Sequence, residues 1–239
     1  MKSYPKKIDD FLANRGEFAL STGCNNLYDY IDHFALYAGE QTIGNKLFTY
    51  ELLKESSKIP GHIAEFGCWK GSNLMFLAKT KHLLEPHSPK KVIGFDNFSG
   101  LPEPVKIDGE FAVDQTGNYC GNEDALRAAI KLFNYEEVIE LVVGDATNTI
   151  PEYMETNSDL ILSFAYIDFD LYEPCRAALK LIEKSLSVGG IIAFDEAYTK
   201  EWPGETLAMK EFLNESIHDY EAINNTLSKQ PTLALRRVR

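Results

Sequence analysis

Asp168-Phe169-Asp170 and Asp195-Glu196 are the residues of this 239-residue chain whose types and spacing best suit chemistry. Two acids two positions apart in extended chain project to the same side. Each group closes an apolar run, 160–167 and 190–194, of the kind that forms a buried parallel strand. If those strands are neighbours, their ends lie about 5 Å apart. Three or four hard oxygens converging there suit Mg²⁺ or a similar divalent ion, with positions left for water or substrate oxygens. No histidine joins them, which disfavours zinc. A ribose or amine site without metal is the competing reading. One acid at a strand end serves equally well as a helix cap. Here, however, Glu65-Phe66-Gly67, Asp96, Gly144-Asp145, Asp168-Phe169-Asp170 and Asp195-Glu196 all end apolar runs. So many acids at one sheet edge repel one another without a cation or polar ligand.

The second constellation is Ala64-Glu65-Phe66-Gly67-Cys68-Trp69-Lys70-Gly71-Ser72, which leads from an apolar run into the helix-like Asn73-Leu74-Met75-Phe76-Leu77-Ala78. A strand that turns on glycines into a helix brings backbone N–H groups close to a ligand. The Glu-x-Gly-x-x-x-Gly spacing differs from the Gly-x-Gly-x-x-Gly of dinucleotide enzymes. About thirty residues on, Asp96 ends the run Val92-Ile93-Gly94-Phe95, as an acid that bonds a ribose hydroxyl does in such folds.

These residues need strands to carry them. Apolar runs at 62–66, 91–95, 138–143, 160–167 and 190–194 alternate with helical patterns at 71–84, 123–133, 147–156 and 173–186. The last helix is expected to stop at Gly189-Gly190. A further helix covers 204–216, and β-like pieces near 220–227 and 232–238 form an antiparallel edge. The alternation predicts an α/β fold, a Rossmann-like, doubly wound, mostly parallel seven-stranded sheet with that antiparallel C-terminal edge. Residues 1–60 read as a helical N-terminal arm or lid before the 61–239 core, the whole being one domain. The arm has a turn at Thr22–Asn26, an aromatic helix at Tyr28–Tyr37 and an amphipathic helix at Gly44–Ser57. It either covers the pocket or packs Tyr30 and His33 on the sheet edge. Residues 100–122 form a loop long enough to be functional or mobile.

The formal charge of -12 argues against nucleic-acid or anionic-membrane partners, which need a basic face. Cys24, Cys68, Cys120 and Cys175 form no C-x-x-C pair and read as free thiols in a reducing cytoplasm. Met1–Lys7 leads into no apolar h-region, and no run approaches a membrane span. The expectation is a cytoplasmic protein, with a homo-oligomer left open. His62, His82 and His87 are expected to pack or face solvent, and Arg236-Arg237-Val238-Arg239 to be a solvated terminus.

Glu65 to Ser72 resembles the E-x-G-x-W-[RK]-G-[GS] cofactor turn of class I S-adenosylmethionine (SAM) methyltransferases of the macrocin O-methyltransferase type. Phe95-Asp96-Asn97-Phe98-Ser99-Gly100-Leu101-Pro102 is similar to that family's F-D-S-F-x-G-L-P, and Ile167 to Glu173 to its L-D-x-D-L-Y-[ED]. Gly189 to Glu196 and Trp202-Pro203-Gly204-Glu205 resemble two further motifs, so that the likeness covers about residues 45–215. It implies SAM as methyl donor, Mg²⁺ or another divalent cation, and a hydroxyl acceptor, typically on a sugar. It places Glu65, Gly67 and Ser72 at the methionine part of the cofactor, Asp96 and Phe98 at the ribose and adenine side, and Asp145 and Ala146 at the adenine. Asp168, Asp195 and Glu196 would hold the metal, with Asp170 as general base. Glu196 departs from the Asp that antibiotic-tailoring members commonly carry. The arm and residues 103–122 match no motif and would set substrate choice. The implied function is a metal-assisted O-methyltransferase acting on a sugar or glycosylated metabolite. A catechol-type aromatic O-methyltransferase and a non-catalytic SAM- or nucleotide-binding module are the alternatives.

Overall fold

The structure, a computed structural model, describes residues 27–239. Cys24, the turn expected at 22–26 and the first part of the arm lie outside the described residues. The rest of the arm forms α1 (Leu27–Asp32), α2 (Phe34–Tyr37) and the long α3 (Glu40–Ser56). Tyr30 packs on Tyr37 within the arm, ring centroids 4.7 Å apart, whereas α3 buries Phe48, Leu52 and Leu53 against the core.

Five apolar runs become parallel strands: β1 (His62–Phe66), β2 (Val92–Asp96), β3 (Ile139–Val143), β4 (Leu162–Ile167) and β5 (Leu186–Phe194). With β6 (Tyr220–Ile223) and β7 (Leu233–Arg237) they form one sheet in the order β3-β2-β1-β4-β5-β7-β6. β7 runs antiparallel to both its neighbours. The crossovers carry α4 (Ser72–Leu84), α5 (Gly109–Asp114), α6 (Glu123–Leu132), α7 (Ala146–Thr156) and α8 (Tyr172–Ser185), and α9 (Pro203–Glu215) follows β5. Their starts follow local chemistry. Asn122 accepts from Ala125 N at 2.9 Å to cap α6, Asp145 caps α7 through Thr147 N, and Pro203 opens α9.

Helices cover both faces. Ile150, Cys175, Ala178, Ile182 and Met209 of α7, α8 and α9 pack on Phe66, Phe95 and Phe194. Leu52, Leu74, Leu77, Leu126 and Ile130 of α3, α4 and α6 pack on Ile63, Val92, Phe164 and Ile191. A sheet buried on both faces explains why its central strands read as continuous apolar runs.

One expected signal is wrong. The helix expected over 173–186 is α8, Tyr172–Ser185, but Gly189-Gly190 is not its stop, and both glycines lie inside β5. The backbone turns extended at Leu186, whose side chain is buried, so core burial ends the helix before the glycines are reached. Residues 101–122 are not a bare loop either. They hold a 3₁₀ turn at Lys106–Asp108 and α5.

Candidate active site

The strand register decides where the acids meet. Phe66 of β1 lies opposite Phe95 of β2 and Ile167 of β4, and Ile167 lies opposite Phe194 of β5. The next residues, Gly67, Asp96, Asp168 and Asp195, therefore stand side by side at one sheet edge. Between β1 and β4 the strand order reverses, and open α/β sheets bind ligands in the crevice at that point. A cavity of about 300 Å³ lies there, lined by Gly67, Trp69, Asp96, Asp145, Ala146, Asp168, Asp170, Asp195 and Glu196 among others. A larger groove of about 820 Å³ between α7, α8 and α9 contains none of these strand ends.

On the β1 side, Gly67 has φ 94°, and a Cβ there would overlap the Asp168 carbonyl oxygen. Only glycine lets the two strand ends approach this closely. Asp96 does more than face the cavity. Its Oδ2 accepts from Cys68 N at 2.6 Å and Trp69 N at 2.7 Å, and its Oδ1 accepts from Phe98 N at 2.6 Å. It thus ties the glycine turn to the segment after β2. Asp145 accepts from both the backbone and the hydroxyl of Thr147, and Ala146 follows it on the cavity wall.

Three expected cofactor residues stand off the wall. Phe98 packs against the core on the α4 side. Ser72 is exposed at the start of α4. Glu65 points below the turn and is 1% exposed. Burial pushes its carboxyl up to about 7. Asn73 stands close enough to oppose that shift, yet neither its amide nitrogen nor Glu65 Oε2 makes a hydrogen bond. Lys46 of α3 donates to Asn73 Oδ1 at 2.7 Å; burial lowers its pKa, while Glu65, Asp195 and Asp168 oppose that.

On the β4–β5 side, Asp168, Asp170, Asp195 and Glu196 converge. Burial, then repulsion from Asp195 and Asp170, holds Asp168 well above the usual carboxylate range. Asp170 is raised by burial and by Glu196 and Asp195. Asp195 is raised by burial, which the Tyr166 hydrogen bond and Lys46 oppose. Burial and Asp195 push Glu196 up to about 7. As the side chains stand, no three His, Cys, Asp or Glu residues among the described residues form a set that would hold a metal ion. Neutral donors hold two of the acids: Tyr166 Oη donates to Asp195 Oδ1, and Gln230 Nε2 donates to Asp195 Oδ2 and Glu196 Oε1.

Trp69, Tyr119 and Asp170 line the cavity with φ between 47° and 61°. Such non-glycine backbone costs about 1–3 kcal/mol per residue and clusters at functional sites. Trp69 meets Tyr119 edge to face at 5.8 Å, and Lys70 lies over the Trp69 ring. His62 packs as expected, its Nδ1 accepting from Lys91 N at 2.9 Å.

Several participants escape sequence reasoning. Glu205, wholly buried, accepts from Glu196 N at 3.0 Å and so sits beneath the acid pair. Asp108, 1% exposed, accepts from Tyr172 N at 2.7 Å and Val105 N at 2.8 Å, which pins residues 101–122 to the start of α8. A Cβ on Gly204 would overlap its Oδ1. Tyr166 and Glu205 fall within or beside motifs already singled out. Asn45, Lys46, Asp108 and Gln230 carry no sequence signal.

The sheet order, the glycine turn at the switch point and the acids beyond β4 and β5 define a Rossmann-like methyltransferase. The family model of macrocin O-methyltransferase (TylF) matches residues 49–226. The chain belongs to that family and is a SAM-dependent O-methyltransferase. A crystal structure of the calicheamicin methyltransferase CalS11 is similar at 26% identity and TM-score 0.80, covering 99% of this chain and 94% of its own. The apo form of CalS11, a TDP-rhamnose 3'-O-methyltransferase, is similar at 25% identity and TM-score 0.71, covering 99% and 96%. The O-methyltransferase NovP shares the fold at 19% identity and TM-score 0.70, covering 82% and 81%. A search of curated proteins by sequence returned no match.

Proposed function

We propose that this chain, as one domain, transfers the methyl group of SAM to a hydroxyl of a sugar or glycosylated small molecule with the help of a divalent cation such as Mg²⁺. The observation that carries the proposal is the convergence of Asp168, Asp170, Asp195 and Glu196 on the cavity wall beyond β4 and β5, facing the glycine turn beyond β1. The donor set fits a hard cation. It consists of carboxylate oxygens with no sulfur or imidazole, and burial followed by mutual repulsion raises their proton affinities, which a dication would oppose. Asp168, Asp195 and Glu196 are the residues that would hold it. When bound, the ion supplies Lewis acidity that lowers the pKa of a ligated hydroxyl.

The remaining steps belong to the chain. Gly67, Asp96, Asp145 and Ala146 hold the cofactor along the β1–β3 side, with Glu65, Ser72 and Phe98 supporting the turn around it. Methyl transfer from a sulfonium is an in-line displacement that mainly needs alignment, which the two opposed walls provide. Asp170 takes the hydroxyl proton as the new O–C bond forms and the S–C bond breaks. Relatedness to CalS11 supports a sugar acceptor.

The test is methyl transfer to panels of nucleotide sugars, glycosides and catechols. Activity should appear with a sugar-bearing acceptor, vanish in EDTA and return with Mg²⁺ or Mn²⁺, while S-adenosylhomocysteine still binds the chelated protein. Full turnover in excess EDTA would refute the metal role. Turnover of catechols alone would refute the sugar acceptor.

A further inference from the structure

The last connection of the sheet, residues 224–232, passes beside the acid cluster, and no motif falls in it. Gln230 stands there with its main chain held. Its carbonyl oxygen accepts from Asn45 Nδ2 of α3 at 3.1 Å and from Ser228 Oγ at 2.5 Å. Its side chain lines the cavity together with the four acids. The amide nitrogen donates to Asp195 Oδ2 at 2.8 Å and to Glu196 Oε1. A carboxamide has a donor end and an acceptor end, and a half-turn about its last torsion exchanges them. The nitrogen end suits two carboxylates with no cation between them. The oxygen end is a hard ligand of the type that Asn and Gln supply to divalent ions.

We propose that Gln230 belongs to the cation site: its amide nitrogen holds Asp195 and Glu196 together in the cation-free protein, and its Oε1 turns to the divalent ion on binding. The inference rests on the metal reading above and extends it to a residue more than thirty positions away from the acids. It also gives the arm a part in the site. The Asn45 side chain bonds both the Gln230 carbonyl and, at 3.5 Å, the hydroxyl of Tyr166, the other donor on Asp195.

A residue that only braces the acids and one that also ligates the ion respond differently to substitution. In Gln230→Glu the donor is gone and a ligand oxygen remains. In Gln230→Leu both are gone. The experiment follows Mn²⁺ binding to the full chain by electron paramagnetic resonance, with Mg²⁺ competition, for wild type and both variants. Circular dichroism and melting in EDTA check folding. Gln230→Leu should weaken Mn²⁺ binding by about 10–100-fold, the range for supporting groups of a metal site. Gln230→Glu should bind at least as tightly as wild type. Unchanged affinity in Gln230→Leu, or a loss in Gln230→Glu as large as in Gln230→Leu, overturns the ligand role and leaves the metal reading standing. No Mn²⁺ binding by wild type overturns both. If Gln230→Leu does not fold, the near-isosteric Gln230→Glu still decides, since weakened binding there overturns the proposal and undiminished binding supports it.

Discussion

Glu65 is a residue whose surroundings conflict with its charge. It sits in β1 with one oxygen unpartnered, and burial raises its pKa from 4.5 to about 7. The folded protein therefore keeps a proton that the unfolded chain releases near pH 4.5. The stability linked to that proton is fully present below about pH 4.5 and is lost as pH rises through about 7. Glu65→Gln removes the dependence, so the variant should gain on wild type by ~2–4 kcal/mol between pH 5 and 8. Denaturant titrations at both pH values check this, and parallel changes in the two proteins would count against it. Asp170 is the second residue with a defined expectation. Asp170→Asn is near-isosteric and should lower kcat by ~10²–10⁴-fold if the carboxylate takes the acceptor proton. S-adenosylhomocysteine affinity, measured by calorimetry, should not change, and an unimpaired kcat would remove the base assignment.

Among the elements, the crossover from β2 to α6 departs most from its sequence appearance. Length and glycine content predict a mobile segment over the pocket. Asp108 fastens it to the N-terminus of α8, two residues beyond Asp170. Asp108→Ala leaves a buried N–H of Tyr172 without a partner, a loss of about 1–3 kcal/mol. Faster hydrogen exchange across 101–122 should accompany it, together with a higher KM for the acceptor at unchanged cofactor affinity. Equal exchange rates in variant and wild type would show that other contacts hold the segment. α3 is anchored in a similar way, because Lys46 reaches the glycine turn through Asn73, and Asn45 reaches Gln230. The arm therefore contributes side chains beneath the site as well as packing on the sheet.

Across the whole molecule, the cofactor contacts proposed above come from β1, β2 and β3 and the acid cluster from β4 and β5, so ligand binding is expected to join both halves of the sheet. S-adenosylhomocysteine should raise the melting temperature, with about 2.7 kcal/mol of added stability at a ligand concentration of 100 Kd. Differential scanning fluorimetry in EDTA reads the cofactor effect alone. No shift at millimolar ligand would contradict the cofactor site. Among the described residues no helix is long and apolar enough to cross a membrane.

The sequence by itself determined the elements and the sheet edge. Runs such as Val92–Phe95 and Leu162–Ile167 are apolar because both faces of a central parallel strand are buried, and acids follow them because strand ends open to the ligand crevice. Those signals are local, so they survive in one dimension. Gly189-Gly190 misled because a helix stop is also local, whereas burial of Leu186 depends on contacts made across the sheet. The family motifs likewise pointed to Asp96 but not to its bonds to Cys68 and Trp69, which lie 28 and 27 residues away. Only the tertiary structure brought Asn45 to Gln230, 185 residues away, set Gln230 on Asp195 and Glu196, and placed Asp108 under Tyr172. No composition or spacing marks such residues, because their role is created by register and packing: a polar side chain finds its partner only after distant strands have aligned.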